Sequence, residues 1–164
     1  MGTGDAMIIV QAERDSDIAA VQELWREYWN SFGLPLGFQG FGEELQGLPG
    51  VYGAEGGLLL LALYQGEPAG TIALRRLDRT AGELKRLYLR PRYRGHGLGR
   101  LLLESVMERA RAMGYERLYA DTLPAMATAL RLYQGAGFEL VEAYTSSPTP
   151  GAIYLKRVLV ADAL

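Results

Sequence analysis

Around Pro91 the apolar residues of this chain switch from two-residue to helical spacing. Before it, Leu58 to Tyr64, Pro68 to Arg76 and Glu83 to Arg90 have strand length and composition, separated by the turn segments Gln65-Gly66-Glu67 and Leu77 to Ala81. After it, Leu98, Leu101, Leu102, Val106, Ala110 and Met113 recur at helical steps as far as Gly114, which suits a helix C-cap. Leu118 to Thr122 then reads as a strand again. A strand, a crossover helix and another strand imply a parallel pair with a right-handed connection, whereas hairpin-linked strands are antiparallel. The fold class expected is α/β with a mixed sheet: antiparallel N-terminal strands leading into a central parallel β-α-β unit.

The remaining segments fit around that frame. Ile8 to Gln11 reads as a short first strand, and Asp15 or Ser16 as the N-cap of a helix running to about Phe32. Its residues Ile18, Val21, Leu24, Trp25, Tyr28 and Phe32 share one face, and Gly33-Leu34-Pro35 stops it. Phe41 to Leu48 fits a shorter helix, Pro124 to Gln134 a later one, and Phe138 to Ala143 and Ala152 to Val158 two more strands. Strict alternation in Glu83 to Arg90 puts Leu84, Arg86, Tyr88 and Arg90 on one face and Glu83, Lys85, Leu87 and Leu89 on the other. A length of 164 residues suits a single domain, read as residues 7–164, with 1–6 a tail outside the fold.

Composition removes whole classes of chemistry. There is no cysteine and one histidine, His96, so a disulfide framework, a thiol nucleophile, a Cys-ligated metal and a multi-His metal site are excluded; no metal is expected. No apolar run approaches the roughly 18 residues of a membrane span, and the N-terminus lacks a basic stretch before an apolar one, so the expectation is a cytoplasmic protein without a membrane partner. Charge is unevenly spread. Residues 1 to 74 hold two basic side chains, Arg14 and Arg26, against ten acidic ones. Residues 75 to 100 hold Arg75, Arg76, Arg79, Lys85, Arg86, Arg90, Arg92, Arg94 and Arg100 against Asp78 and Glu83. A local basic field in a chain of net charge −2 suits a compact polyanion or a solvated strand face, not a nucleic-acid footprint.

The segment Arg94-Gly95-His96-Gly97-Leu98-Gly99-Arg100 follows a strand and opens the long helix. A helix start leaves backbone N–H groups without acceptors and carries partial positive charge, so phosphates bind there, and glycines let them approach the backbone. No Lys-Ser/Thr pair follows the glycines, which excludes a P-loop, and the glycine spacing differs from the dinucleotide fingerprint.

The segment resembles the acyl-CoA pyrophosphate loop of the GCN5-related N-acetyltransferase (GNAT) superfamily, matched at Arg94, Gly97 and Gly99. The resemblance extends through Glu83 to Leu89, similar to the family's central strand, and Ala129 to Phe138, similar to its late helix and following strand. It implies a GNAT-like fold with splayed central strands and acetyl-CoA as co-substrate. The main chain of Leu87, Tyr88 and Leu89 would lie along the pantetheine arm, and Arg94, Gly95, His96, Gly97, Leu98, Gly99 and Arg100 would hold the pyrophosphate. The Leu89 N–H would receive the developing oxyanion.

By the same resemblance Tyr133 serves the departing thiolate and Glu83 the amine's proton, with Asp121 as a rival base and Tyr144 and Tyr154 as other candidate hydroxyls. His96 is read as a solvated or phosphate-facing neighbour. Where many relatives carry asparagine, this chain has Met126, read as a packing residue. The implied reaction moves an acetyl group to a primary amine, on a small molecule or peptide, by direct attack in a ternary complex. An acyl-CoA-binding sensor without turnover and a nucleotide-binding protein without CoA are the alternatives. Substrate choice is expected in the first helices and the Tyr144 to Gly151 loop, and pairing through the final strand is a route to a homodimer.

Overall fold

A computed structural model describes residues 7–33, 40–145 and 150–159. The elements run β1 (Met7–Gln11), α1 (Asp15–Asn30), α2 (Phe41–Gln46), a 3-10 turn (Gly50–Gly53), β2 (Leu58–Tyr64), β3 (Glu67–Arg76) and β4 (Ala81–Leu89). A second 3-10 turn (Pro91–Tyr93) leads to α3 (Leu98–Ala112), β5 (Arg117–Thr122), α4 (Ala127–Gly135), β6 (Glu139–Val141) and β7 (Ile153–Val158). The strands form one seven-stranded sheet in the order β1-β2-β3-β4-β5-β7-β6, antiparallel except for the parallel β4–β5 pair. The proposed tail, 1–6, lies outside the described residues, as does part of the 144–151 loop.

Strand alternation divides the core into two layers. Leu60, Ile72, Leu74 and Leu84 face α3 and α4 together with Leu102, Val106 and Ala110, while Leu59, Leu61 and Ala73 face α1 and α2 with Leu24, Trp25, Trp29 and Phe41. The first helix is capped one residue before the first expected position: Arg14, not Asp15 or Ser16, is the N-cap, and its N–H goes to the Asp17 carboxylate at 3.4 Å. It ends at Asn30, and α2 ends at Gln46, each two residues short of the expected limit. Pro124 precedes α4 without joining it, and β6 is only three residues long.

Two expectations are overturned. The last strand, β7, is not an edge: it lies between β5 and β6, which occupy its ladder on both sides, so no second copy can pair through it. The alternation of β4 also fails. Thr71 pairs with Tyr88 and Ala73 with Lys85, so Ile72 faces two residues, Arg86 and Leu87. Arg86 takes the extra position at φ +60°. Its insertion turns Leu87 toward the α3 layer beside Leu84, while Tyr88 packs in the α1 layer.

The left-handed conformation costs a non-glycine residue about 1–2 kcal/mol. Arg86 offsets it with an ion pair, Nε to Glu44 Oε1 at 2.9 Å, and with its guanidinium 5.2–5.8 Å from the rings of Trp25, Trp29 and Phe41. Across the ladder, Gly70 leaves room for the displaced strand: a Cβ there would stand 2.7 Å from the Tyr88 carbonyl oxygen and 2.8 Å from Leu89 Cδ1. Gly70→Ala should therefore cost about 1–3 kcal/mol, read as a lower urea midpoint with unchanged slope. An unmoved midpoint would mean that β4 shifts there freely.

Candidate active site

The β4–β5 ladder holds from Ala81↔Arg117 to Leu84↔Ala120 and then stops. Beyond it β4 continues to Leu89 against β3 alone, and β5 continues to Thr122 against β7 alone. The strands diverge into a cleft of about 260 Å³ lined by Tyr28, Leu87, Tyr88, Leu89, Met126 and Leu132, with Arg94 at the rim.

The backbone of β4 offers this cleft polar groups. Arg90 donates its N–H to Ala69 O across β3 at 2.8 Å, so alternation directs Tyr88 the same way and Leu87 and Leu89 into the gap. The Leu89 carbonyl oxygen confirms that direction by accepting from Arg94 Nε at 2.8 Å. Leu89, expected to present its N–H, therefore has Leu87 as an equivalent neighbour.

At the mouth, Gly95 (φ +82°) and Gly97 (φ +79°) take left-handed conformations that glycine adopts without steric cost. Gly97 is the N-cap of α3, and no side chain caps this helix. Its first N–H groups are free to serve an anion. Gly99 plays a different part, since a Cβ there would come within 2.9 Å of Leu132 Cδ1 and displace that side chain, which lines the cleft.

Not every residue of the loop turns to the cleft. Arg100 pairs with Glu104 at 3.2 Å on the exposed surface of α3, and His96 lines a separate depression with Tyr64, Arg92 and Tyr93. Only their backbone groups remain close to the helix start.

Tyr133 is buried in α4 with its ring 5.1 Å from that of Phe138. Burial first, then the Tyr28 hydroxyl and the Asp121 and Glu83 carboxylates, push its hydroxyl well above 10, so it keeps its proton. Met126, at the N-terminus of α4, is the packing residue expected, and its Sδ lies 3.4 Å from the Tyr28 hydroxyl.

Glu83 is buried at the point of divergence and engaged at both oxygens. Oε1 accepts from Arg75 Nε at 2.7 Å and lies 3.9 Å from Lys85 Nζ, and Oε2 accepts from the Tyr144 hydroxyl at 2.6 Å. Burial alone would raise its pKa, but Lys85, the Tyr144 hydroxyl and Arg75 together outweigh it and hold the carboxyl below its ordinary value. Burial and Glu83 push Tyr144 far up, so that hydroxyl is a committed donor to Glu83. Lys85 also lies 3.7 Å from Asp121, which brings both candidate bases to one ammonium.

Arg75, Lys85 and Tyr28 were not singled out in the sequence. The hairpin register places Arg75 directly across from Glu83, and the two-residue period places Lys85 on the same side, so both were recoverable signals. Among the described residues no group of His, Asp and Glu side chains could hold a metal ion, and no helix is long and apolar enough to cross a membrane.

Comparison with known proteins gives a consistent picture. Residues 18–138 match the Acetyltransferase (GNAT) family. An uncharacterised N-acetyltransferase of Schizosaccharomyces pombe is 34% identical over 142 residues, 85% of this chain and 87% of that protein. A GNAT-family acetyltransferase of Staphylococcus aureus Mu50 superposes with a TM-score of 0.82 at 23% identity, over 94% of this chain and all of that one. A candidate acetyltransferase of Salmonella typhimurium, solved with its cofactor acetyl-CoA, superposes with a TM-score of 0.67 at 21% identity over 98% of each chain.

Proposed function

Because this chain belongs to the acetyltransferase (GNAT) family, we propose that the gap between β4 and β5 binds acetyl-CoA and that the acetyl group passes directly to a primary amine held in the same complex. The chain is an acetyl-CoA-dependent N-acetyltransferase. The observation that carries the assignment of the site is the end of the β4–β5 ladder at Leu84↔Ala120, which leaves the Leu87 and Leu89 backbone turned into an open cleft.

The residues present fit the cofactor. The polar edge of Leu87 and Leu89 suits the amide-bearing pantetheine arm; the Tyr88 main chain, also expected along that arm, is instead turned to β3, and Tyr88 only lines the cleft; the uncapped start of α3 from Gly95 to Arg100 suits a pyrophosphate. Arg94, already at the rim, adds a guanidinium. Bound acetyl-CoA supplies a thioester whose carbonyl carbon forms a C–N bond with the amine as the C–S bond breaks.

The chain's own groups then act on the charges that develop. The N–H groups of Leu87 and Leu89 are fixed donors for the carbonyl oxygen. Tyr133, held protonated, donates to the departing sulfur; because its pKa lies above the roughly 8.5 of a thiol, its contribution is a strong hydrogen bond rather than complete proton loss. Glu83 stays ionised, draws the substrate ammonium, and takes its proton through the Tyr144 hydroxyl or water, because both carboxylate oxygens are already engaged.

The test is thermal unfolding with and without acetyl-CoA, followed by thiol release with an amine panel. Ligand at 100 times its Kd should add about 2.7 kcal/mol, or roughly 5–10 °C. Gly97→Trp, which fills space that is open above the helix start, should abolish the shift; its left-handed backbone costs the side chain about 1–2 kcal/mol, a loss the unliganded unfolding temperature reads separately. A folded chain with no shift would remove the cofactor site.

A further inference from the structure

A second chamber, about 490 Å³, opens beside Lys85 on the α2 side of β3 and β4. Its charged lining is Arg75, Lys85 and Arg86 against Glu43 and Glu44. Arg75 uses only Nε, toward Glu83, and its other two nitrogens have no hydrogen-bond partner among the described residues. Lys85 Nζ lies 3.9 Å from Glu83 and 3.7 Å from Asp121, too far in each case for a hydrogen bond. Tyr52 forms the floor at 1% exposure; its buried hydroxyl makes no well-formed hydrogen bond among the described residues, and burial and the nearby Glu44 carboxylate hold it protonated.

A buried hydroxyl without a well-formed hydrogen bond, beside two cations that keep unused N–H donors, is the chemistry of a site for a small oxyanion. Of the acids on the opposite wall, Glu44 is neutralised by Arg86 at 2.9 Å, and Glu43 stands exposed at the rim. Leu48 and Val51 complete the chamber with apolar surface.

Charge is ordered across this region. Arg75 and Lys85 line the chamber, while Glu83 and Asp121, the groups they pair with, sit behind them toward the β4–β5 gap. A molecule with its anion in the chamber and its cation toward the gap meets opposite charge at both ends. One tetrahedral carbon between the two charges is a suitable spacing, because the same Arg75 and Lys85 adjoin both the chamber and Glu83.

We infer that the acceptor is an amine carrying a carboxylate next to its amino group, an α-amino acid with an apolar side chain, its carboxylate held by Arg75, Lys85 and Tyr52 and its amino group beside Glu83. The inference rests on the acyl-transfer reading above and names the substrate class of that site. Carboxamides and decarboxylated amines offer no carboxylate to the spare N–H donors of Arg75 and Lys85 or to the Tyr52 hydroxyl, so they are poor substrates.

The test compares leucine, leucinamide and 3-methylbutylamine, and the corresponding phenylalanine set, in two assays. Thiol release with saturating acetyl-CoA gives kcat/KM, and calorimetry with the CoA-loaded protein gives binding. The free acids should bind and exceed their neutral counterparts at least tenfold in kcat/KM. Tyr52→Phe, which keeps the ring packed edge-on against Trp25 at 5.9 Å, should raise KM for the acids severalfold and leave KM for the amides and the acetyl-CoA thermal shift unchanged.

Equal or better turnover of the amides or simple amines would overturn the inference, as would failure of the acids to bind the CoA complex. So would an equal effect of Tyr52→Phe on acids and amides. Acids that bind without any amine being acetylated would support the chamber and instead overturn the acyl-transfer reading.

Discussion

Tyr133→Phe should lower kcat about 100-fold, the usual size of a lost proton donor, with the KM for acetyl-CoA and the unfolding temperature nearly unchanged. The ring contributes to packing against Phe138, and phenylalanine preserves that contact, so only the hydroxyl is removed. The pH profile separates this role from a structural one. In the parent enzyme kcat/KM should rise with pH as the amine loses its proton, and no descending limb should appear below pH 10, because burial holds the hydroxyl well above its ordinary 10.0. In the variant the ascending limb should persist at reduced height. A kcat within threefold of the parent would sink the assignment of Tyr133.

The largest loss of stability should follow Trp29→Ala. Trp29 is 1% exposed, its ring lies face to face with Phe41 at 4.1 Å and 4°, and it forms part of the aromatic enclosure around Arg86. Removing a buried tryptophan typically costs about 3–5 kcal/mol, equivalent to a fall on the order of 10 °C in a domain of this size. The damage should also reach the cleft: with its enclosure open, Arg86 has less to hold it at φ +60°, and the position of Leu87 and Leu89 depends on that residue. Calorimetry should therefore show a lower unfolding temperature together with a smaller stabilisation by acetyl-CoA. A drop under about 3 °C would mean that α1 and α2 do not unfold with the sheet.

Most of the frame was legible because its signals are local. The change in apolar period, the Gly66 turn and the glycines before α3 specify two-residue and 3.6-residue repeats that the elements then show. The bulge was not legible. Arginine carries no preference for a left-handed backbone, and the compensating groups, Glu44 and three rings on α1 and α2, come from 42 to 61 positions earlier in the chain. Nor does the residue type of Glu83 disclose that its proton affinity is lowered. That depends on Arg75, Lys85 and Tyr144, the last of which arrives from the far end of the sheet. Since folding favours the ionised form, Glu83 adds stability above the ordinary glutamate pKa and loses it as pH falls through the lowered value.

The insertion of β7 between β5 and β6 has a consequence for how the enzyme comes into being on the ribosome. Strands β1 to β4 pair with near neighbours in the chain, β1–β2 across the two helices and β2–β3 and β3–β4 through short turns, so the antiparallel half can assemble while synthesis continues. The other half waits: among the described residues β6 pairs with β7 alone, and β5 lacks its outer neighbour until residues 153–158 emerge. The strand that carries Asp121 and Thr122 beside the gap is thus flanked on both sides only after residues 153–158 have been made, so the antiparallel half of the site is in place before the half that faces it.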